Sequence, residues 1–178
     1  GLPTKTEQSD LMQALYGRNG ECPVVVIAAS SPSDCFHYAF MAGKIALEHM
    51  TPVILLTDGF IANGSEPWRI PSMQDYPAIV PPIVNKAPEE GEFMPYKRDE
   101  RLVRGWAFPG KKGLEHRIGG LEKDHLKGSI SYDPANHQEM VLTRAAKVAR
   151  VADDLPTPTI DGAADADLLV IGWGGTRG

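Results

Sequence analysis

Two β-branched runs on either side of one capped helix constrain this chain more than anything else in it. The run "VVVIAAS" (Val24 to Ser30) is continuous and apolar, the kind of strand that a parallel sheet covers on both faces. "SPSD" follows, which places Ser31 as helix N-cap, Pro32 at the first helical position and Asp34 as the return member of a capping box. The helix is expected over about residues 32–50 and is apolar nearly all round, so it should be covered on most sides. His37, Lys44 and Glu48 fall on one narrow polar stripe, and His37 reads as a stripe-edge or interface residue rather than a ligand. "TPVILLTDG" (Thr51 to Gly59) is a second buried strand that ends in a turn. Strand, helix and strand in that order form a βαβ unit with a right-handed crossover. The fold class is therefore α/β.

Upstream, residues 4–16 are expected to be helical. Thr4 or Thr6 can cap this helix, Leu11, Met12 and Leu15 form its apolar stripe, and Gly17 stops it. Downstream, periodicity dissolves from Phe60 to Asp133, where prolines and glycines are dense. A structureless stretch of that length is foreign to a compact domain. It nevertheless carries Trp68, Tyr76, Phe93, Tyr96, Trp106 and Phe108, which disordered linkers lack. The expectation is an ordered, extended arm over 60–133, lying on the domain or on a partner. A helix is expected over 134–155, capped by Asp133 and begun by Pro134, with Val141, Ala145, Val148 and Ala152 on its apolar face. A linker over 156–166 and a new α/β unit opening at 167–178 ("DLLVIGW") complete the organisation. Gly1 opens in the middle of a turn and the last strand stops at its own loop, so the expectation is a fragment of a longer chain.

With 42% apolar and 23% charged residues and a net charge of −5, the chain belongs among ordinary globular proteins and offers no phosphate-tracking basic surface for nucleic acid. Its two cysteines, Cys22 and Cys35, form no C-x-x-C pair, which argues against an iron–sulfur cluster or structural zinc held by this chain alone. They read as reduced thiols in a reducing compartment, and no apolar run is long enough to cross a membrane, so a cytoplasmic location is expected.

The chemistry motifs are few. "GWGGTRG" after an apolar run suggests a dinucleotide fingerprint, but Arg177 stands where the third glycine of G-x-G-x-x-G belongs, which disfavours a stand-alone nucleotide-binding protein. Walker-type and nucleophile-elbow motifs are absent. "GLEHRIGGLEKDH" gathers Glu115, His116 and Arg117 without metal-ligand spacing, and fits a charged loop that approaches a substrate or a partner subunit. Asp58 and Asn63 follow the second strand, at the end where open α/β sheets gather ligands. Lys5 sits in a first helical turn between two threonine hydroxyls, where helix N–H groups and an ammonium together favour a carboxylate. A lysine is a poor choice there for helix stability alone, and that local conflict points to function.

The strings "GLPTKTEQSDLMQALYGRNGE", "ASSPSDCF", "TPVILLTDGFIANGSEPW", "RGWAFPGKKGLEHRIGGLEKD" and "ADLLVIGWGGT" together resemble the α subunits of the thiamine-diphosphate-dependent 2-oxoacid:ferredoxin oxidoreductases, the 2-oxoglutarate type above all. The resemblance runs in order along nearly the whole chain. It implies the later part of a pyrimidine-type thiamine-binding domain over 1–59 and the first strand of a transketolase-C-terminal-like domain over 167–178. It implies an enzyme that oxidatively decarboxylates a 2-oxo acid, transfers the acyl group to coenzyme A and passes electrons to ferredoxin. Thiamine diphosphate, Mg²⁺ and an iron–sulfur cluster are implied on the partner β subunit, with none bound by this chain alone. Activity would need that subunit and the family's upstream segments. Lys5 matches the family stretch where a basic residue meets the substrate carboxylate, with Thr4 and Thr6 holding it. A lysine offers a point charge where an arginine would offer a fork. A rival reading is a non-catalytic module that clasps a partner through the arm.

Overall fold

The computed structural model describes residues 9–163 and 165–177. Its centre is the βαβ unit. Strand β1 (Val25–Ala28) runs parallel to β2 (Val53–Leu56), with Val25 opposite Val53 and Ala28 opposite Leu56, and helix α2 (Asp34–His49) makes the crossover. All the residues of both strands are only half-buried, short of the full burial expected from their composition. The reason is that the described residues supply two strands to this sheet, and a parallel strand is covered only when it has neighbours on both edges and helices on both faces.

Helix α2 begins at Asp34, later than Pro32, because the Ser31–Pro32–Ser33 segment is a tight turn. The capping-box logic survives in shifted form. The Ser31 hydroxyl accepts the Asp34 N–H at 3.4 Å, and the Asp34 carboxylate reaches back to the N–H and hydroxyl of Ser30. The helix ends on Met50, whose positive φ of 46° is the left-handed conformation of a helix C-cap, and its N–H returns to Ala46 O. Ile45, Glu48 and His49 are buried, whereas Phe36, His37 and Leu47 remain exposed, so α2 is covered on fewer sides than its composition suggests.

Before this unit lies α1 (Ser9–Tyr16), whose last turn donates Gly17 N–H to Gln13 O at 2.8 Å. Its buried residue is Ala14, and Met12, expected in the apolar stripe, is 54% exposed. After β2 comes α3 (Gly59–Asn63), and from there to Asp133 the chain carries only one 3-10 turn and the two-residue strands β3 (Ile83–Val84) and β4 (Trp106–Ala107), which pair in parallel. Helix α4 (Pro134–Arg150) starts with Asp133 accepting Ala135 N–H at 3.0 Å, and a 3-10 turn, Val151–Asp154, continues it.

The polar stripe of α2 is what holds the start of the long irregular segment. Glu48 takes the Lys44 ammonium as an i,i+4 partner and accepts Val80 N–H at 2.8 Å, while Lys44 donates to Ala78 O. Burial pushes the Glu48 carboxyl upward, but Lys44 and the Val80 N–H outweigh it and hold the group below its ordinary value. His37 packs beside Tyr76, 5.8 Å between ring centroids, at the edge of an aromatic group with Phe36, Phe40 and Trp68.

Residues 167–173 form no strand in this structure, and Leu168, Leu169, Val170 and Ile171 are all exposed. A strand must hand its N–H and C=O groups to a neighbour. The described sheets hold no strand beside this run, so its apolar pattern goes unused here.

Candidate functional site at the carboxyl ends of β1 and β2

The loops that leave β1 and β2 carry a set of polar side chains at the edge of the sheet. After β1 come Ser30, Ser31, Ser33 and Asp34; after β2 comes Asp58. Asp58 is the N-cap of α3: its carboxylate accepts Phe60 N–H at 2.7 Å. Asn63, at the other end of α3, donates its amide to Gly59 O at 2.8 Å, so its side chain is engaged within the helix. From the following loop, Glu66 reaches back across the crevice and accepts Ser33 N–H. The Ser33 hydroxyl, the Ser33 N–H and the Ser31 hydroxyl hold the Glu66 carboxyl below its ordinary value.

Three carboxylates, Asp34, Asp58 and Glu66, therefore rim this edge, and the free N–H at the start of α2 is taken by one of them. A diphosphate placed here would meet like charge. Among the described residues no group of three or more His, Cys, Asp and Glu side chains could hold a metal ion. Each of the three carboxylates is engaged by an N–H or hydroxyl group of a nearby residue.

The second candidate place is the loop from Gly113 to Arg117. Glu115 accepts Gly113 N–H at 2.7 Å. His116 Nδ1 lies 2.8 Å from Leu114 O, and because a carbonyl can only accept, Nδ1 carries the proton and Nε2 is left as an acceptor. The ring stands edge-on to Phe93 at 5.2 Å, and buried Leu114 anchors the loop beneath it. Arg117 is exposed. The acceptor nitrogen of an oriented imidazole can take a hydrogen bond from a donor group, and the exposed Arg117 guanidinium beside it can meet an anionic one.

Among the described residues, no hydrogen bond or ion pair joins Asp58 or Asn63 to the Glu115–Arg117 loop, so the residues singled out in the sequence form two separate places. Lys5, Thr4 and Thr6 lie outside the described residues. A mostly apolar cavity of about 320 Å³ between α1 and α4, lined by Leu15, Tyr16, Cys22, Val141 and Ala145 among others, shares no lining residue with either place. Sequence reasoning missed Glu66 as the partner of Ser33, because a contact across more than thirty positions leaves no local signal.

The profile of the family described as pyruvate flavodoxin/ferredoxin oxidoreductase, thiamine diphosphate-binding, matches residues 1–159. The chain belongs to this family. Among its relatives, the 2-oxoglutarate oxidoreductase subunit KorA of Mycobacterium tuberculosis is 55% identical over 183 aligned positions, covering 100% of this chain and 27% of that protein. The 2-oxoglutarate synthase subunit KorA of Methanothermobacter marburgensis is 28% identical, covering 98% of this chain and 45% of that one. Among solved structures, the 2-oxoglutarate:ferredoxin oxidoreductase from Magnetococcus marinus with 2-oxoglutarate, coenzyme A and succinyl-CoA bound superposes with a TM-score of 0.79 at 31% identity, over 93% of this chain and 29% of that one. The chain thus spans between about a quarter and a half of the length of these relatives. The family match carries the α/β thiamine-domain reading of the fold, and its members are oxidoreductases. Among the described residues no helix is long and apolar enough to cross a membrane.

Proposed function

We propose that this chain is part of the α subunit of an enzyme that oxidatively decarboxylates a 2-oxo acid, 2-oxoglutarate first among them, to its acyl-CoA with electrons passed to ferredoxin. The observation that carries this is the 55% identity to a 2-oxoglutarate oxidoreductase subunit along all of this chain. In this reading residues 1–59 are the later part of a pyrimidine-type thiamine domain, 60–133 an arm, 134–155 a helix, 156–166 a linker and 167–178 the start of a second α/β domain. Thiamine diphosphate, bound with Mg²⁺ on the partner β subunit beside an iron–sulfur cluster, supplies the electron sink for decarboxylation.

This chain's own part is to bind and orient. Lys5, with Thr4 and Thr6 as its neighbours in the sequence, supplies the cation that meets the substrate carboxylate. Glu115, His116 and Arg117 form an oriented loop that faces the substrate or the partner. Exposed arm side chains such as Ile70 and Tyr132 provide apolar surface for the β subunit. The enzyme works in the cytoplasm, where ferredoxin and coenzyme A are its partners.

The test uses the full-length subunit with its partner and follows reduction of a viologen dye that depends on 2-oxoglutarate and coenzyme A. Lys5→Ala is expected to raise the KM for 2-oxoglutarate about tenfold or more, as loss of a charged hydrogen bond would, while the KM for coenzyme A stays within about twofold. Equal effects on both would remove Lys5 from the carboxylate role. No dye reduction by the wild type with any 2-oxo acid would overturn the activity itself.

A further inference from the structure

From Ala152 to Arg177, Gly174 and Gly175 are the only described residues that are not exposed. They sit in a preformed turn: Trp173 N–H donates to Thr176 Oγ1 at 3.0 Å, and that hydroxyl donates to Trp173 O at 2.7 Å. What they touch is the carboxyl end of the sheet. A Cβ on Gly174 would stand 3.2 Å from Ala28 Cβ and 3.7 Å from Ala29 O, at the last residues of β1. Gly174 also has a φ of +59°, which favours glycine in its own right. A Cβ on Gly175 would stand 2.7 Å from Asp58 Oδ2 and 3.3 Å from Ile61 Cδ1. Ala29 and Ile61, against which the turn rests, are 1% and 3% exposed. Two adjacent glycines thus let backbone lie directly on a strand end and on a capping carboxylate, where any side chain would hold the two apart.

We propose that the Gly174–Gly175 turn is a docking key and that the carboxyl ends of β1 and β2, with Asp58, are its socket. The partner this surface fits is the segment of the same chain that follows the exposed linker, lying beyond the span that matches the family. The contact fixes that segment to the thiamine-type domain through backbone packing, and it makes Asp58 a docking residue rather than a ligand for substrate. The proposal does not depend on the oxidoreductase reading, because the socket and key are defined by contact alone.

The experiment uses the full-length subunit assembled with its partner. Because the built Cβ of Gly175 lies 3.2 Å from Asp58 Cγ, the atom whose place a cysteine sulfur would take, cysteines at the two positions face each other closely enough for a disulfide to be tested. In the double variant Asp58→Cys/Gly175→Cys, mild oxidation followed by proteolysis in the 156–163 linker should leave the two halves joined until a reductant is added. Each single variant should separate under both conditions. A double variant that assembles with its partner and yields no linked species overturns the proposal. If the double variant does not assemble, Gly175→Val decides. Its side chain should expel the turn and raise the rate of linker cleavage about tenfold, and an unchanged rate overturns the proposal.

Discussion

The βαβ unit and the arm that follows it are built on different principles. In the unit, hydrogen bonds run within elements whose boundaries follow from periodicity, and the β1–β2 register is a straight run from Val25–Val53 to Ala28–Leu56. In the arm, bonds cross between passes of chain that have no regular form. Tyr96 N–H reaches Leu126 O, Gly119 N–H reaches Gly128 O and Ser131 N–H reaches Glu122 O, each at 2.9 Å. Close approach is secured by small residues. A Cβ on Gly105 would strike Val84, and one on Gly119 would lie 2.6 Å from Ile130 Cγ1. The arm is tied to helices by single buried polar groups. Asn136 on α4, 6% exposed, accepts His125 N–H at 2.9 Å and donates to Lys123 O at 2.8 Å. An irregular segment can therefore be ordered without an apolar stripe, provided its backbone groups find named partners.

The largest loss of stability is expected in the βαβ unit. Ile45, buried on α2, is expected to cost about 2–5 kcal/mol of stability on change to Ala, through lost transfer energy and the cavity left behind. Hydrogen exchange on the full-length subunit should then show faster opening across β1, α2 and β2 together, because the unit is one packed body. Confinement of the effect to the last turn of α2 would sink that view.

A smaller effect belongs to the arm. Asn136→Leu keeps the volume but leaves the His125 N–H and the Lys123 carbonyl without partners, at an expected cost of about 1–3 kcal/mol. Exchange should rise over residues 119–131 and stay unchanged in β1 and β2. Equal exchange in both regions would mean that arm and unit are one cooperative body.

Legibility in the sequence follows the same divide. "VVVIAAS" and "TPVILLTDG" announce the two strands because the sheet reads a local pattern of β-branched residues. The Asp133–Pro134 start of α4 is equally local. The capping of α2 was legible in its residue types but not in its partner, since Asp34 turns to Ser30 and Glu66 arrives from far along the chain. Burial was overestimated at Met12 and along β1 and β2, because composition speaks for a complete sheet and the described residues hold two strands of it. The socket at Asp58 was legible only as a loop at a strand end. What fills it lies over a hundred positions away, and two glycines carry no hydrophobic signal. The His116 loop was visible as a charged cluster, whereas the tautomer set by Leu114 O is a matter of geometry.

The smallest predicted effect sharpens where arm and helix meet. Lys147 on α4 donates to Met50 O at 2.9 Å, at the carbonyl end of α2, a place that favours a cation. Burial nevertheless pushes the Lys147 ammonium down to about 8, and the Arg98 and Arg104 guanidiniums add to this. Those two arginines reach the same region from the arm, where both stand over the Tyr96 ring. Below pH 8 both folded and unfolded chains hold the proton on Lys147, and the penalty of burying the charge is felt in full. Between about 8 and the ordinary lysine value of 10.5 the folded chain has released the proton while the unfolded chain keeps it, so stability should rise with pH across that window. With allowance for solvent around a partly covered group, the gain is about 1 kcal/mol or less. Chemical denaturation of the full-length subunit at pH 7.5 and 10, for wild type and Lys147→Met, reads it directly, with the pH values spanning the window from about 8. The rise should be present in the wild type and reduced in the variant. An identical slope in both would show that the rise does not come from Lys147.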